Sequence, residues 1–176
     1  LENFYKLYDR RRSIREFLNK PIEAEKLSRL LTVLNRAQSA ANRQPWHFIV
    51  SKRPGREELN TVFTKDCFKD APVVIVACAE PGAAWVRKTD NRNYAWVDVS
   101  IAVTEMIGAA TAEGIGTCWI AAIDAERVKE ILSIPAHIDV VGIIALGYPV
   151  KELEREEKAR KNIEEVVYNG RWQGVW

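Results

Sequence analysis

At 176 residues, 47% hydrophobic and 28% charged, the chain is long enough to bury a core without metal or disulfide staples. It is expected to be one domain, residues 1–176, with a C-terminal arm from about residue 150. Lys and Arg number 26 and Asp and Glu 24, so the net charge of +2 gives no large field for nucleic acid. Three cysteines, Cys67, Cys78 and Cys118, form no CxxC pair, and His47 and His137 are the only histidines. Zinc sites, thioredoxin-type chemistry and a histidine-based triad are therefore poorly supported. No signal peptide and no apolar run of bilayer length are read, so the expected setting is cytoplasmic, with no membrane or nucleic-acid partner.

The first element is a short amphipathic helix over Asn3–Arg11, with Phe4, Leu7 and Tyr8 at helical spacing. A second helix in "PIEAEKLSRLLTVLNRAQ" places Leu27, Leu30, Leu31, Leu34 and Ala37 on one face, with Pro21 just before its start. "QPWHFIVS" reads as a strand, and "RPGREELNTVF" as a turn at Pro54-Gly55 followed by a short helix. "APVVIVACAE" is a continuous apolar run, expected as a strand buried on both faces, with Cys78 as a small buried hydrophobe. Residues 81–96 have no clean period and read as an irregular excursion.

A long helix follows in "WVDVSIAVTEMIGAATAEG", with Val97, Ile101, Glu105, Gly108 and Ala112 on one stripe and Gly114 as its stop. "IGTCWIAAI" is strand-like. "DAERVKEILSI" is a helix capped by Asp124 and ended by Pro135, and "HIDVVGIIALGYP" is a last buried strand. A charged tail, Lys151–Lys161, leads to "IEEVVYNGRWQGVW". Helices and strands mix without strict alternation, which predicts an α+β domain with helices packed around a mostly antiparallel sheet.

In "RRSIREF", an extended backbone would turn Arg11, Ser13 and Arg15 to one side and Arg12 and Ile14 to the other, at a rise of ~3.3 Å per residue. Two guanidinium forks flanking a hydroxyl can converge on one phosphate. On this stretch alone the favoured reading is a solvated basic edge paired with Glu16 or nearby carboxylates. "SAANRQPWHF" clusters Ser39, Asn42 and Gln44 before a rigid Pro-Trp. It reads either as amides aimed at a planar heterocycle or as turn chemistry before a strand. His47 reads as a satisfied, partly buried histidine. "EGIGTCW" follows a helix rather than a strand and lacks a third glycine, so a dinucleotide fingerprint fails. Cys118 has no base in view and is read as structural. "KARK", Lys158–Lys161, gains interest only if it folds back on Arg11–Arg15.

Taken in order, "RRSIREF", "SAANRQPWHFIV", "DVSIAVTEMIGAATAEGIGTCWI", "IIALGYP" and "KARKNIEEVV" resemble the nitroreductase family of flavoproteins over nearly the whole chain. The resemblance implies FMN bound at the interface of an intertwined homodimer, with NAD(P)H as co-substrate. It assigns Arg11, Arg12, Ser13 and Arg15 to the phosphate and ribityl chain, and Lys158 and Arg160 to the same phosphate. Ser39, Ala40 and Asn42 match the loop that the partner subunit brings to the flavin. Ala121 and Ala122 match the stretch whose backbone N–H approaches flavin N5. The chain departs from the family at Ala121-Ala122, where a glycine-containing pair is common, and at Glu80–Trp96, which is short for a substrate-covering excursion.

The activity so implied is an FMN-dependent oxidoreductase, with no catalytic side chain. It would take hydride from NAD(P)H and reduce a nitroaromatic, quinone or flavin in a ping-pong sequence. The alternatives are a dehalogenating or flavin-fragmenting branch of the same family, or a flavin-binding module without turnover.

Overall fold

The computed structural model of the chain describes residues 2–153 and 157–175. Helix α1 (Glu2–Arg10) precedes α2 (Ala24–Arg36), which leads into strands β1 (Trp46–Lys52) and β2 (Val73–Ala79). A small ribbon of β3 (Val86–Arg87) and β4 (Arg92–Asn93) comes before the long helix α3 (Ala95–Ala112). Strand β5 (Gly116–Ile120), helix α4 (Ala125–Leu132) and strand β6 (Asp139–Gly147) complete the regular elements. The main sheet runs β1-β2-β6-β5 with every neighbouring pair antiparallel, so the α+β expectation holds.

Every residue of β2 is buried because the sheet is covered on both faces. Val73, Ile75 and Ala77 point toward a cluster with Leu30 and Leu34 of α2 and Val99, Val103 and Met106 of α3. Val74, Val76 and Cys78 point the other way, toward Phe63, Phe68 and Val128 of α4. Successive side chains alternate faces, so a strand with two apolar faces reads as an unbroken apolar run. Burial pushes the Cys78 thiol up to about 11, so it stays a neutral core thiol.

The caps behave as the residues dictate. Asp124 accepts a hydrogen bond from the Arg127 N–H at 3.0 Å. Gly114, at φ +73°, ends α3 with its N–H on the Thr111 carbonyl, while the Ile115 N–H reaches the Ala110 carbonyl. Helix α4 stops at Ser133, in the left-handed region, two residues before Pro135.

Several expectations are corrected. The stripe Val97, Ile101, Glu105, Gly108 and Ala112 of α3 is mixed, with Gly108 alone of the five buried. Val97 is exposed, Ile101 is half-buried, and Ala95, Val99, Ala102, Val103 and Met106 are buried. This 18-residue helix is apolar enough by length and composition to cross a bilayer, contrary to the sequence reading, but half of it is buried inside the fold. The short helix expected after Pro54-Gly55 is present, but as a 3-10 helix, Leu59–Val62, and a second 3-10 helix, Asp66–Asp70, follows it. Buried Arg56 organises the segment, donating to Asn60 Oδ1 and to the carbonyls of Phe68, Lys69 and Ala71. That demand of one guanidinium for carbonyls outweighs the modest helix propensity of the segment. Strand β5 ends at Ile120, so Ala121–Ile123 leave the sheet. Residues 81–94 contain the ribbon that periodicity missed, closed by the Tyr94 N–H on the Trp85 carbonyl. Part of the charged tail, Glu154–Glu156, and Trp176 lie outside the described residues.

Gly147, at the end of β6, sits where a Cβ would come within 2.5 Å of Pro72 Cδ and 2.9 Å of Phe17 Cδ1. A proline ring cannot swing aside. Gly147→Ala should therefore cost about 1–3 kcal/mol, seen as a lower urea midpoint with an unchanged slope. An unchanged midpoint would mean that this packing is looser than the distances imply.

Candidate functional site

After α1 the chain becomes a strap along the open edge of β5. The Ile14 N–H donates to the Thr117 carbonyl at 2.8 Å, and Ser13 bridges Thr117 in parallel. Three residues on, the strap crosses to the extension of β6. The Leu18 N–H donates to the Tyr148 carbonyl at 2.8 Å, and the Val150 N–H donates to the Glu16 carbonyl at 3.2 Å. Ile14 and Phe17 are buried anchors. A Cβ at Gly116 would collide with Ile14, so glycine there permits the close approach.

With the apolar residues fixed inward, Ser13 and Arg15 are exposed, and Arg11 and Arg12 are half-buried. A cleft of about 170 Å³ lies along the strap, lined by Arg12, Ser13, Arg15, Glu16 and Lys151 among others. Arg12 also donates to the Glu152 carbonyl at 3.0 Å. Among the described residues, Arg11 and Arg15 make no side-chain ion pair. The tail does fold back: Lys158 Nζ donates to the Tyr8 carbonyl, three residues before Arg11. Arg160 is exposed, and its guanidinium donates to the Ala159 carbonyl at 2.7 Å. Four or more cationic side chains thus gather around one stretch of backbone.

The other end of β5 carries Ala121 and Ala122. Both are exposed, and neither backbone N–H donates within the chain among the described residues. The Ile123 N–H donates to the Ala121 carbonyl at 3.0 Å, which turns the chain out of the sheet. Phe63 bridges Ile123, and Thr64 Oγ1 donates to the Ala122 carbonyl at 3.4 Å. Four residues of strand separate Thr117 from Ala121, roughly 13 Å. A ligand touching both the strap and this turn would have to be elongated.

Cys118 lies between these two ends. Burial pushes its thiol up, against the pull of Arg15 and Lys65, while Cys67 adds to the rise. A thiol held neutral is a poor nucleophile, which agrees with the structural reading. Thr64 and Lys65 therefore border the site, although the sequence reading passed over them. Their only signal was position after the Pro54-Gly55 turn, and a helix there would have aimed them differently.

Ser39, Ala40 and Asn42 lie elsewhere. They belong to the loop between α2 and β1, at the sheet edge opposite β5. Three inter-strand spacings separate those edges, roughly 14 Å, so one chain does not bring this loop to its own strap. The loop is tightly specified. Ala41, Asn42 and Gln44 have positive φ, at about 1–3 kcal/mol each for residues other than glycine. The Gln44 N–H donates to Ser39 Oγ at 2.9 Å, Gln44 Nε2 donates to the Asn42 carbonyl and Oδ1, and the Ala40 N–H donates to Asp98 Oδ1 at 3.0 Å. His47, just beyond, is exposed rather than partly buried and meets Glu80 Oε2 at 2.9 Å.

The family model of the nitroreductase family matches residues 8–67 and 56–148. An Archaeoglobus fulgidus relative, provisionally named an NADH dehydrogenase/NAD(P)H nitroreductase, is 32% identical over 98% of this chain and 100% of its own. A nitroreductase family protein of Clostridium difficile superposes with a TM-score of 0.87 at 29% identity, covering 95% of this chain and 98% of that one. An FMN-dependent nitroreductase of the same species gives a TM-score of 0.77 at 26% identity, with 94% and 98% covered. Human iodotyrosine deiodinase 1 is 25% identical over 94% of this chain and 68% of its own, and 5,6-dimethylbenzimidazole synthase of Rhodospirillum rubrum 27% identical over 85% of each. The family match spans the strap, the β5 turn and the sheet between them, and on that ground the chain belongs to the nitroreductase family.

Proposed function

We propose that this oxidoreductase of the nitroreductase family binds FMN noncovalently and carries electrons from NAD(P)H to a nitroaromatic, quinone or flavin acceptor. The observation that carries the reading is the cleft along the strap, where Arg12, Ser13, Arg15 and Lys151 converge, with Arg11 next in the chain and Lys158 returning to the end of α1. The donor set fits a phosphate. It holds several guanidinium forks, those of Arg11 and Arg15 without an ion pair among the described residues, and a hydroxyl, on an edge fixed by backbone hydrogen bonds. It does not fit a pyrophosphate loop, since no glycine-rich strand-to-helix turn is present in the sequence.

Bound FMN would supply the redox chemistry, two-electron transfer in a ping-pong sequence between NAD(P)H and the acceptor. The chain's own residues bind and orient. Arg11, Arg12, Ser13 and Arg15, with Lys158 and Arg160, would grip the phosphate and ribityl chain. The Ala121 and Ala122 backbone N–H groups have no acceptor within the chain among the described residues and would be available to the ring near N5. Lys65 would add positive charge nearby, favouring an electron-rich ring.

Ser39, Ala40 and Asn42 would complete the site of a second copy, because they lie on the sheet edge away from their own strap. Exposed apolar side chains support an obligate homodimer. Trp96 and Val97 stand on the open face of α3, Phe4 and Tyr5 on α1, and Trp172 and Val175 on the tail. The three free thiols accord with a reducing, cytoplasmic compartment. Likeness to a deiodinase and to a benzimidazole synthase supports a second reading, a dehalogenating or flavin-fragmenting enzyme on the same scaffold.

Chromatography of the chromophore released on denaturation should give FMN; FAD, or no flavin after reconstitution, would overturn the reading. Turnover of quinones and nitroaromatics with NAD(P)H, without loss of iodide from iodotyrosine or breakdown of FMN, separates the first reading from the second. Arg15→Ala should weaken FMN by about 1.5–3 kcal/mol, and Arg15→Lys should recover only part because the planar fork is lost. Titration by quenching of FMN fluorescence measures both. Cys118→Ala should leave the rate of flavin reduction by NAD(P)H close to wild type, read by stopped-flow absorbance; its loss with FMN content intact would give the thiol a chemical role. Deleting the residues after Asn169 should loosen the dimer and lower FMN occupancy together, by sedimentation and absorbance. A stable, fully loaded and active monomer would contradict the shared site.

A further inference from the structure

Asp98 is the only buried carboxylate among the described residues, at 1% exposure in the first turn of α3. Its buried neighbours on that helix, Ala95, Val99 and Ala102, are apolar. One oxygen, Oδ1, accepts the Ala40 N–H at 3.0 Å. The other, Oδ2, is equally buried and has no hydrogen-bond partner among the described residues. Such a group weakens the fold relative to an apolar side chain of similar size. An acid serving only the dipole at the helix start would do so from the surface. The placement of Asp98 is explained instead by what Oδ1 holds.

The loop it holds has three residues other than glycine at positive φ, Ala41, Asn42 and Gln44. Its other hydrogen bonds, from Asn42, Arg43 and Gln44, stay within residues 39–44. Among the described residues, no other side chain outside the loop bonds to the loop backbone. Helix α3 is itself locked to α2 and the sheet, so the carboxylate transmits the position of the core to the loop.

We propose that Asp98 is a positioning residue, whose buried carboxylate fixes the Ser39–Gln44 loop in the one conformation able to meet a flavin. The claim rests on the flavin reading above for its second half, but not for its first. Asp98→Asn keeps an oxygen for the Ala40 N–H yet buries an NH2 in place of Oδ2. Asp98→Leu removes both oxygens. Val103→Ala, a core truncation in the same helix at a residue with no exposure, serves as the control for general destabilisation.

In the full chain, amide exchange of residues 40–44 should quicken by roughly tenfold in Asp98→Leu, the scale of one lost hydrogen bond, and by less in Asp98→Asn. FMN affinity should fall in the same order. Val103→Ala should lower Tm while leaving both readouts as in wild type. Unchanged exchange at 40–44 in the Asp98 variants would overturn the proposal, as would faster exchange with wild-type FMN affinity. A matching loss of affinity in Val103→Ala would do the same, since it would reduce Asp98 to a packing residue. Should Asp98→Leu fail to fold, Asp98→Asn decides by the same criteria. If the wild-type chain takes up no flavin, the functional reading fails by itself, and the exchange arm still decides whether Asp98 holds the loop.

Discussion

The backbone pairing of the strap with β5 and the end of β6 is the constraint on which the site depends. Three hydrogen bonds, from Ile14, Leu18 and Val150, tie residues 13–18 to two strands of the sheet. Ile14 and Phe17 are buried beneath them. Because alternate side chains of an extended chain take opposite sides, burying Ile14 leaves its neighbours Ser13 and Arg15 facing outward. The sheet edge thus fixes the backbone that carries Ser13 and Arg15. The same pairing covers the edge of β5, which would otherwise be open to association with other chains.

From that edge the rest of the arrangement follows. Gly116 and Gly147 are where the strap comes closest, and a Cβ at either would strike Ile14 or Phe17. The tail returns over the end of α1, with Arg12 and Lys158 each donating to a main-chain carbonyl. At the far end of β5 the strand stops at Ile120, and the next two residues turn out beside Thr64. Arg56 sets the course of that neighbouring segment from within the core, at a cost visible in its depressed pKa of about 10. A stability cost in one part of the molecule thus supports placement in another, and Asp98 repeats the pattern for the Ser39–Gln44 loop.

Much of this was legible in the sequence where one physical signal dominated. Leu27, Leu30 and Leu34 marked α2, and the unbroken run around Val73–Ala79 marked a strand buried on both faces. Gly114 and Asp124 marked helix ends through the backbone groups they satisfy. The basic cluster was legible as a candidate anion site beside its rival, a solvated basic edge; the burial of Ile14 and the unpaired Arg15, which bear on that choice, were not legible. Other features were illegible for stated reasons. The inward face of α3 was not legible because small residues line much of the helix, which leaves little amphipathic contrast. Thr64 and Lys65 escaped notice because their place is set by Arg56 and by pairing with Ile123, both distant in sequence. The roles of Ala41, Asn42 and Gln44 rest on backbone angles that their side chains do not advertise.

The central claim is that the strap and the returning tail form a phosphate site. It is tested most directly by comparing the affinities of FMN and riboflavin, which differ by that phosphate, in the wild-type chain and in Arg15→Ala. The account predicts that the wild type favours FMN by about a hundredfold or more, the scale of two charge-assisted hydrogen bonds. It also predicts that Arg15→Ala narrows this gap while leaving riboflavin affinity nearly unchanged. Equal affinity for the two flavins in the wild type, or a gap that Arg15→Ala leaves intact, would contradict it.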